Sequence, residues 1–296
     1  MSVRYNAGEI ITAMITPFKE NFEVDYDSLE KLVNHLIATG SDTILVAGTT
    51  GECPTLTHEE EWDVLKFVLK TVNGRVKVIM GTGSNSTQTA VMTAKKAEEL
   101  GADAILTVVP YYNKPNQRGM KAHFSAVAEA VKLPIILYNI PGRTGVNMLP
   151  ATVAELAEKY SNIVAVKQSN GDLDLISEMK SICPKDFVIY SGDDSLTLPM
   201  MSLGAFGVIS VASHVVGLEM KEMISAFKNG NNVLALEKHI ELFPIFKKLF
   251  MCPSPSPVKE MLSKMGIIKN VLRLPLVNMT DEEKAEFYSV ADNYLK

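Results

Sequence analysis

A lysine closes an apolar run, Ile163-Val164-Ala165-Val166-Lys167, within the stretch IVAVKQSNGD. β-branched residues suit a strand buried on both faces. A buried ammonium is costly there unless it reaches solvent, pairs, or takes part in chemistry. An amine attacks a carbonyl carbon only when unprotonated, so a lysine among desolvated apolar neighbours suits imine formation. Imine chemistry moves protons repeatedly and needs hydroxyl relays. Tyr138 in YNIPGRTG and Thr49 in GTTGE can serve as such relays, and Arg143 can clamp a carboxylate. GTGSNST has GxG without a third glycine and reads as a turn, so no phosphate cradle accompanies these residues. The expected substrates are small keto acids without phosphate.

Each residue also has a plain structural reading. Lys167 could be a strand-end lysine reaching solvent, Tyr138 a rim residue, Thr49 and Thr50 turn residues, and Arg143 a surface charge. Asp193 and Asp194, in SGDD, read as caps for the helix that follows rather than as catalytic acids. What favours chemistry is their common placement, and that depends on the elements carrying them.

Those elements repeat. A short apolar strand followed by an amphipathic helix recurs eight times, the strands reading EIITAMIT, TILVAG, VKVIMGTG, AILTVVP, PIILYNIP, IVAVKQS, FVIYSGD and GVISVAS. In DYDSLEKLVNHLIATG, Asp25 is a helix N-cap and Gly40 a stop. In THEEEWDVLKFVLK, Thr57 and Glu60 have capping-box spacing, and STQTAVMTAKKAEELG stops at Gly101. Strict alternation predicts a parallel sheet with helical crossovers, and eight units without a dinucleotide fingerprint predict an α/β fold, a closed (β/α)₈ (TIM) barrel. Active sites in such barrels lie at the C-terminal mouth. The strand ends there offer Thr49, Thr50 and Glu52; Tyr111 and Tyr112; Tyr138 and Arg143; Lys167; Gly192; and Ile209 with Ser210.

The barrel is expected over residues 1–229, with a C-terminal helical extension over residues 230–296. In that extension Leu236, Ile240, Phe243 and Phe250 form an apolar stripe expected to pack on the barrel. Pro244 is expected to kink or split this helix, and Ser256 to cap another that begins at Pro257.

Composition narrows the function classes. The chain of 296 residues is 47% hydrophobic and 21% charged, with a net charge of −5 and no basic block, which argues against nucleic acid and anionic membranes as partners. No apolar run is long enough to span a bilayer, and MSVRYNAGEI lacks a signal-peptide core. Cys53, Cys183 and Cys252 read as free thiols of a reducing compartment, so a cytoplasmic location is expected. His35, His58, His123, His214 and His239 form no HxH or HExxH pair, and no metal site is expected.

GTTGE, PYYNKP, YNIPGRTG, VAVK, YSGDD and GVISVASH, in that order over roughly residues 8–275, resemble the dihydrodipicolinate synthase branch of the pyruvate-dependent class I aldolase (N-acetylneuraminate lyase) family. The resemblance implies a lyase of lysine and diaminopimelate biosynthesis that condenses pyruvate with aspartate 4-semialdehyde. Lys167 would form the Schiff base, Tyr138 would act as general acid/base, and Thr49 with Tyr112 would complete the proton relay, Tyr112 across a dimer interface. Thr50 would hold the pyruvate carboxylate and Ile209 would add a main-chain contact, with Gly192 also among the substrate-binding residues. Arg143 would receive the semialdehyde carboxylate. No cofactor beyond the covalent pyruvate imine is implied, and the assembly would be a homotetramer, a dimer of dimers. Gln168 departs from the acidic residue often found after the lysine. At the family's lysine-feedback site His58, Asn85 and Tyr111 are present, but Glu61 replaces a histidine and Thr89 a glutamate, so weak or absent feedback is expected. A sugar-acid aldolase, or a barrel that binds a keto acid without turnover, stays open at this level.

Overall fold

The computed structural model describes residues 3–295. Eight strands, β1 (Ile10–Ala13), β2 (Thr43–Val46), β3 (Lys77–Gly81), β4 (Ala104–Val108), β5 (Ile135–Asn139), β6 (Ile163–Gln168), β7 (Val188–Ser191) and β8 (Gly207–Ser210), follow one another round a closed barrel. The helices are α1 (Tyr26–Ala38), α2 (His58–Val72), α3 (Thr87–Leu100), α4 (Gln117–Ala130), α5 (Pro141–Thr144), α6 (Pro150–Lys159), α7 (Leu173–Ile182), α8 (Thr197–Ser202), α9 (Ser213–Lys228), α10 (Asn232–Lys248), α11 (Ser256–Lys264) and α12 (Asp281–Ala291). The (β/α)₈ barrel expected from the alternation is therefore present.

Local chemistry accounts for the helix ends. The Asp25 side chain accepts from Ser28 N at the start of α1. Thr57 and Glu60 cap α2 reciprocally, satisfying two backbone donors at once. Gly101 ends α3 at φ +90°, where a side chain would be strained.

The chain forms two compact units. The first joins the N-terminal segment through Gly8 to Val78–Ile209. Its strands β4 to β7 pair in parallel, with Tyr138 in register with Lys167 and Lys167 with Tyr190. β5 and β6 are buried at every position, as their Ile, Val and Leu content requires. Arg4 ties the N-terminal segment to this unit through a two-pronged bond to Asp186 and a bond to Ala157 O at 2.7 Å.

The second unit joins Glu9–Lys77 to the chain from Ser210 onward. The hydroxyls of Thr12, Ser41 and Ser213 form a buried chain, with Thr12 Oγ1 at 2.6 and 2.7 Å from its neighbours. His214 is fully buried, accepting from Ile15 N through Nε2 (3.2 Å) and donating to Val211 O through Nδ1 (2.8 Å).

Expectations for the C-terminal helices are corrected or narrowed here. Leu236, Ile240, Phe243 and Phe250 are exposed, and α10 instead buries Ala235, His239, Leu242, Ile245 and Phe246. α10 continues through Pro244, so of the kink or split expected there the split does not occur. Ser256 is the first residue of α11 rather than its cap, and its hydroxyl donates to Val277 O at 3.0 Å.

Candidate active site

Lys167 lies one residue before the end of β6, and only 6% of it is exposed. Register places it beside Tyr138 on the same face of the sheet, with Nζ 4.3 Å from the tyrosine ring centroid. Among the described residues no carboxylate lies within ion-pair distance of it. The nitrogen therefore faces the tyrosine ring rather than an acidic side chain.

The next strand end shapes the surroundings of Lys167. Gly192 N donates to Gln168 O at 2.8 Å, which brings the Gly192 Cα against the residues after Lys167. A Cβ added at Gly192 would overlap Ser169 Oγ and stand 2.9 Å from Lys167 Cε. Ser169 is buried, and its hydroxyl has no partner among the described residues.

Alternation along β6 sends Gln168 to the face opposite Lys167. Its Oε1 accepts from Asn139 Nδ2 at 3.3 Å, and Asn139 in turn bonds Asn147 Oδ1 and Met148 N. Position 168 thus belongs to the packing between β5 and β6, not to the face that bears the amine.

Arg143 sits on the one-turn helix α5 directly after β5, exposed and without an ion pair among the described residues. Ile209 ends the first unit, buried on β8. Tyr112 is 89% exposed at φ +71°, a left-handed conformation uncommon for a bulky residue. Its ring projects into solvent rather than onto its own strand end. Asp193 precedes a 3₁₀ turn at Asp194–Leu196 and makes no side-chain capping bond, contrary to expectation.

In the second unit the turn Gly48-Thr49-Thr50-Gly51 follows β2. Thr49 is half-buried and Thr50 buried. Thr49 O accepts from Glu52 N at 3.0 Å, and Thr16 Oγ1 donates to Gly51 O at 2.7 Å. A Cβ at Gly51 would stand 3.0 Å from Met14 O, so the close approach of two backbones requires glycine. Glu52 pairs with Lys259, both side chains wholly buried.

Residues 6–293 match the profile of the dihydrodipicolinate synthetase family. The chain belongs to that family. A dihydrodipicolinate synthetase relative, the 4-hydroxy-tetrahydrodipicolinate synthase of Thermosynechococcus vestitus, is 52% identical over 287 residues, 97% of each chain. The 4-hydroxy-tetrahydrodipicolinate synthase of Bacillus subtilis is 48% identical over 284 residues, 96% of this chain and 98% of the other. The crystal structure of a Bacillus anthracis dihydrodipicolinate synthase matches with a TM-score of 0.95 at 48% identity, covering 97% of this chain and 98% of that one. The chain is an enzyme of this family.

Of the residues singled out in the sequence, Lys167, Tyr138 and Gly192 are brought together directly. Arg143 and Ile209 end strands or begin loops of the same unit, and Tyr112 stands clear in solvent. Sequence reasoning missed Ser169, which only its close approach to Gly192 places beside the lysine stem, and Lys259, whose partner is remote in sequence. Among the described residues no group of three or more His, Cys, Asp or Glu is placed to hold a metal, and no helix is long and apolar enough to cross a membrane.

Proposed function

We propose that this chain is a 4-hydroxy-tetrahydrodipicolinate synthase of lysine and diaminopimelate biosynthesis, condensing pyruvate with L-aspartate 4-semialdehyde. The observation that carries the reading is a buried lysine, in register with a tyrosine and without a carboxylate partner among the described residues. Lys167 Nζ adds to the keto carbon of pyruvate, and loss of water gives the imine. Removal of a methyl proton gives an enamine, a carbon nucleophile that adds to the aldehyde. The substrate's own amine then attacks the imine carbon and displaces Lys167 as the ring closes. Tyr138 and Thr49 move the protons, and Thr50 and the Ile209 main chain hold the pyruvate carboxylate, with Gly192 beside the lysine stem. The imine is the electron sink, so neither metal nor organic cofactor takes part. Arg143 receives the carboxylate of the semialdehyde, a role supported by its exposed guanidinium, which has no ion pair among the described residues.

The exposure of Tyr112 supports a further element of the reading, that it completes the relay in a second copy of the chain. The working assembly is a homotetramer built as a dimer of dimers, located in the cytoplasm.

The test is mass spectrometry after borohydride treatment with pyruvate, combined with turnover on two second substrates. A pyruvate adduct on Lys167 and condensation with the semialdehyde are expected. Release of pyruvate from N-acetylneuraminate, with no condensation, would move the chain to the sugar-acid lyases. Absence of any adduct would remove the mechanism.

A further inference from the structure

The turn bearing Thr49 and Thr50 is bracketed by two non-glycine residues in left-handed conformation, Ala47 at φ +52° and Glu52 at φ +57°. Such residues are strained and persist only where their surroundings hold them. The surroundings of Glu52 come from the C-terminal part of the chain. Its Oε1 pairs with Lys259 on α11, and its Oε2 accepts from Arg273 N at 3.0 Å. Lys259 Nζ also donates to Val271 O at 2.8 Å and lies 4.2 Å from the Phe18 ring centroid. The Arg273 guanidinium continues the attachment downstream, donating to Thr55 O at 2.7 Å and to Glu60.

A buried ion pair contributes little net stability compared with an apolar pair of the same volume. Its effect here is geometric, because it fixes a residue whose N–H bonds Thr49 O. We propose that Glu52 and Lys259 are positioning residues that set the placement of Thr49 and Thr50 from the C-terminal segment. The proposal rests on the reading that these threonines handle pyruvate.

The experiment compares the full-length protein with Lys259→Met, Glu52→Gln and the double variant. It measures kcat, KM for each substrate, the rate of borohydride-trapped pyruvate adduct, and Tm. Lys259→Met alone strands a buried carboxylate and is expected to lower Tm sharply. The double variant strands no charge and is expected to recover most of that Tm. Its adduct rate at low pyruvate is nevertheless expected to stay roughly tenfold to a hundredfold below the unmodified protein, the scale of a displaced positioning group. KM for pyruvate should rise while KM for the semialdehyde holds within about twofold. Recovery of kinetics together with Tm in the double variant would overturn the proposal, as would a pyruvate KM that does not change. Lack of adduct in the unmodified protein would instead sink the synthase reading.

Discussion

Gly192→Ala should disable the amine without touching any reactive group. The new Cβ would stand 2.9 Å from Lys167 Cε and 3.0 Å from Ser169 Cβ, and would overlap Ser169 Oγ. Ordinary carbon–carbon contact is about 3.5–4.0 Å, so the lysine stem must retreat by roughly 1 Å. Overpacking of this kind costs about 1–3 kcal/mol of stability. Displacing a reacting atom by about 1 Å costs on the order of a hundredfold in rate, so chemistry should suffer far more than folding. The assay is the rate of borohydride-trapped pyruvate adduct at saturating pyruvate, read beside Tm. Pairing the change with Ser169→Gly removes both the hydroxyl and the Cβ on the crowded side and leaves the stem room to settle. The pair should regain most of the rate, to within about tenfold of the unmodified protein. Adduct formation at the unmodified rate in Gly192→Ala would refute the steric argument. A double variant as slow as the single would show that Ser169 is not what confines the stem.

Tyr138→Phe should lower kcat by about a hundredfold or more, the range for loss of a general acid/base, while leaving pyruvate KM within about threefold. Steady-state kinetics checks it, and unchanged turnover would remove Tyr138 from the relay. Arg143→Ala should cost roughly 10- to 100-fold in kcat/KM for the semialdehyde, the equivalent of a charge-assisted bond, yet leave pyruvate trapping intact. Equal loss in both would mean the guanidinium serves pyruvate. Free lysine should inhibit weakly or not at all, because Thr89 offers its ammonium no carboxylate and His58 is already paired with Glu61 at 3.0 Å; saturable inhibition below millimolar lysine would contradict this. Burial holds the His214 imidazole down to about 4 in the folded protein, against 6.5 as the ordinary value. The unfolded chain therefore binds the extra proton between these values, and stability falls as pH drops from 6.5 towards 4, by an amount on the order of 3 kcal/mol. Denaturant unfolding across that range should show the fall, and His214→Gln should make it shallower without abolishing it, because burial also holds the His123 imidazole down to about 4.

What was legible in the sequence was what is settled locally. Asp25, Thr57 with Glu60, and Gly101 act within one helical turn, and each behaves as its spacing implies. The strands were legible because both their faces are buried, so a β-branched run needs no knowledge of its partners. Lys167 and Tyr138 could be foreseen as neighbours because consecutive strands of a parallel barrel pair in order. The direction of α10 could not be foreseen. Two of its faces carry apolar residues, and periodicity alone does not tell Leu236 and Ile240 from Leu242 and Ile245. Ser256 was misassigned because its hydroxyl found a remote carbonyl, Val277 O, in place of its own helix. The side-chain orientation of Gln168 follows from strand alternation, but only once the face bearing Lys167 is fixed.

Two lysines show why burial by itself does not mark a nucleophile. Lys167 and Lys259 each follow a valine, and each is withdrawn almost completely from solvent with its nitrogen over an aromatic ring. Lys259 also has a carboxylate and a carbonyl to bond. Burial pushes its ammonium down to about 8, against the opposing pull of Glu52. Its attachments hold that nitrogen in a fixed structural network, and an approaching carbonyl would have to displace Glu52 first. Among the described residues Lys167 has the ring alone, and the glycine at 192 leaves its stem a clear flank. The difference between a brace and a reactive amine lies in whether an acidic partner was folded in beside it. Supplying Lys167 with such a partner should therefore cost more activity than removing one should cost Lys259.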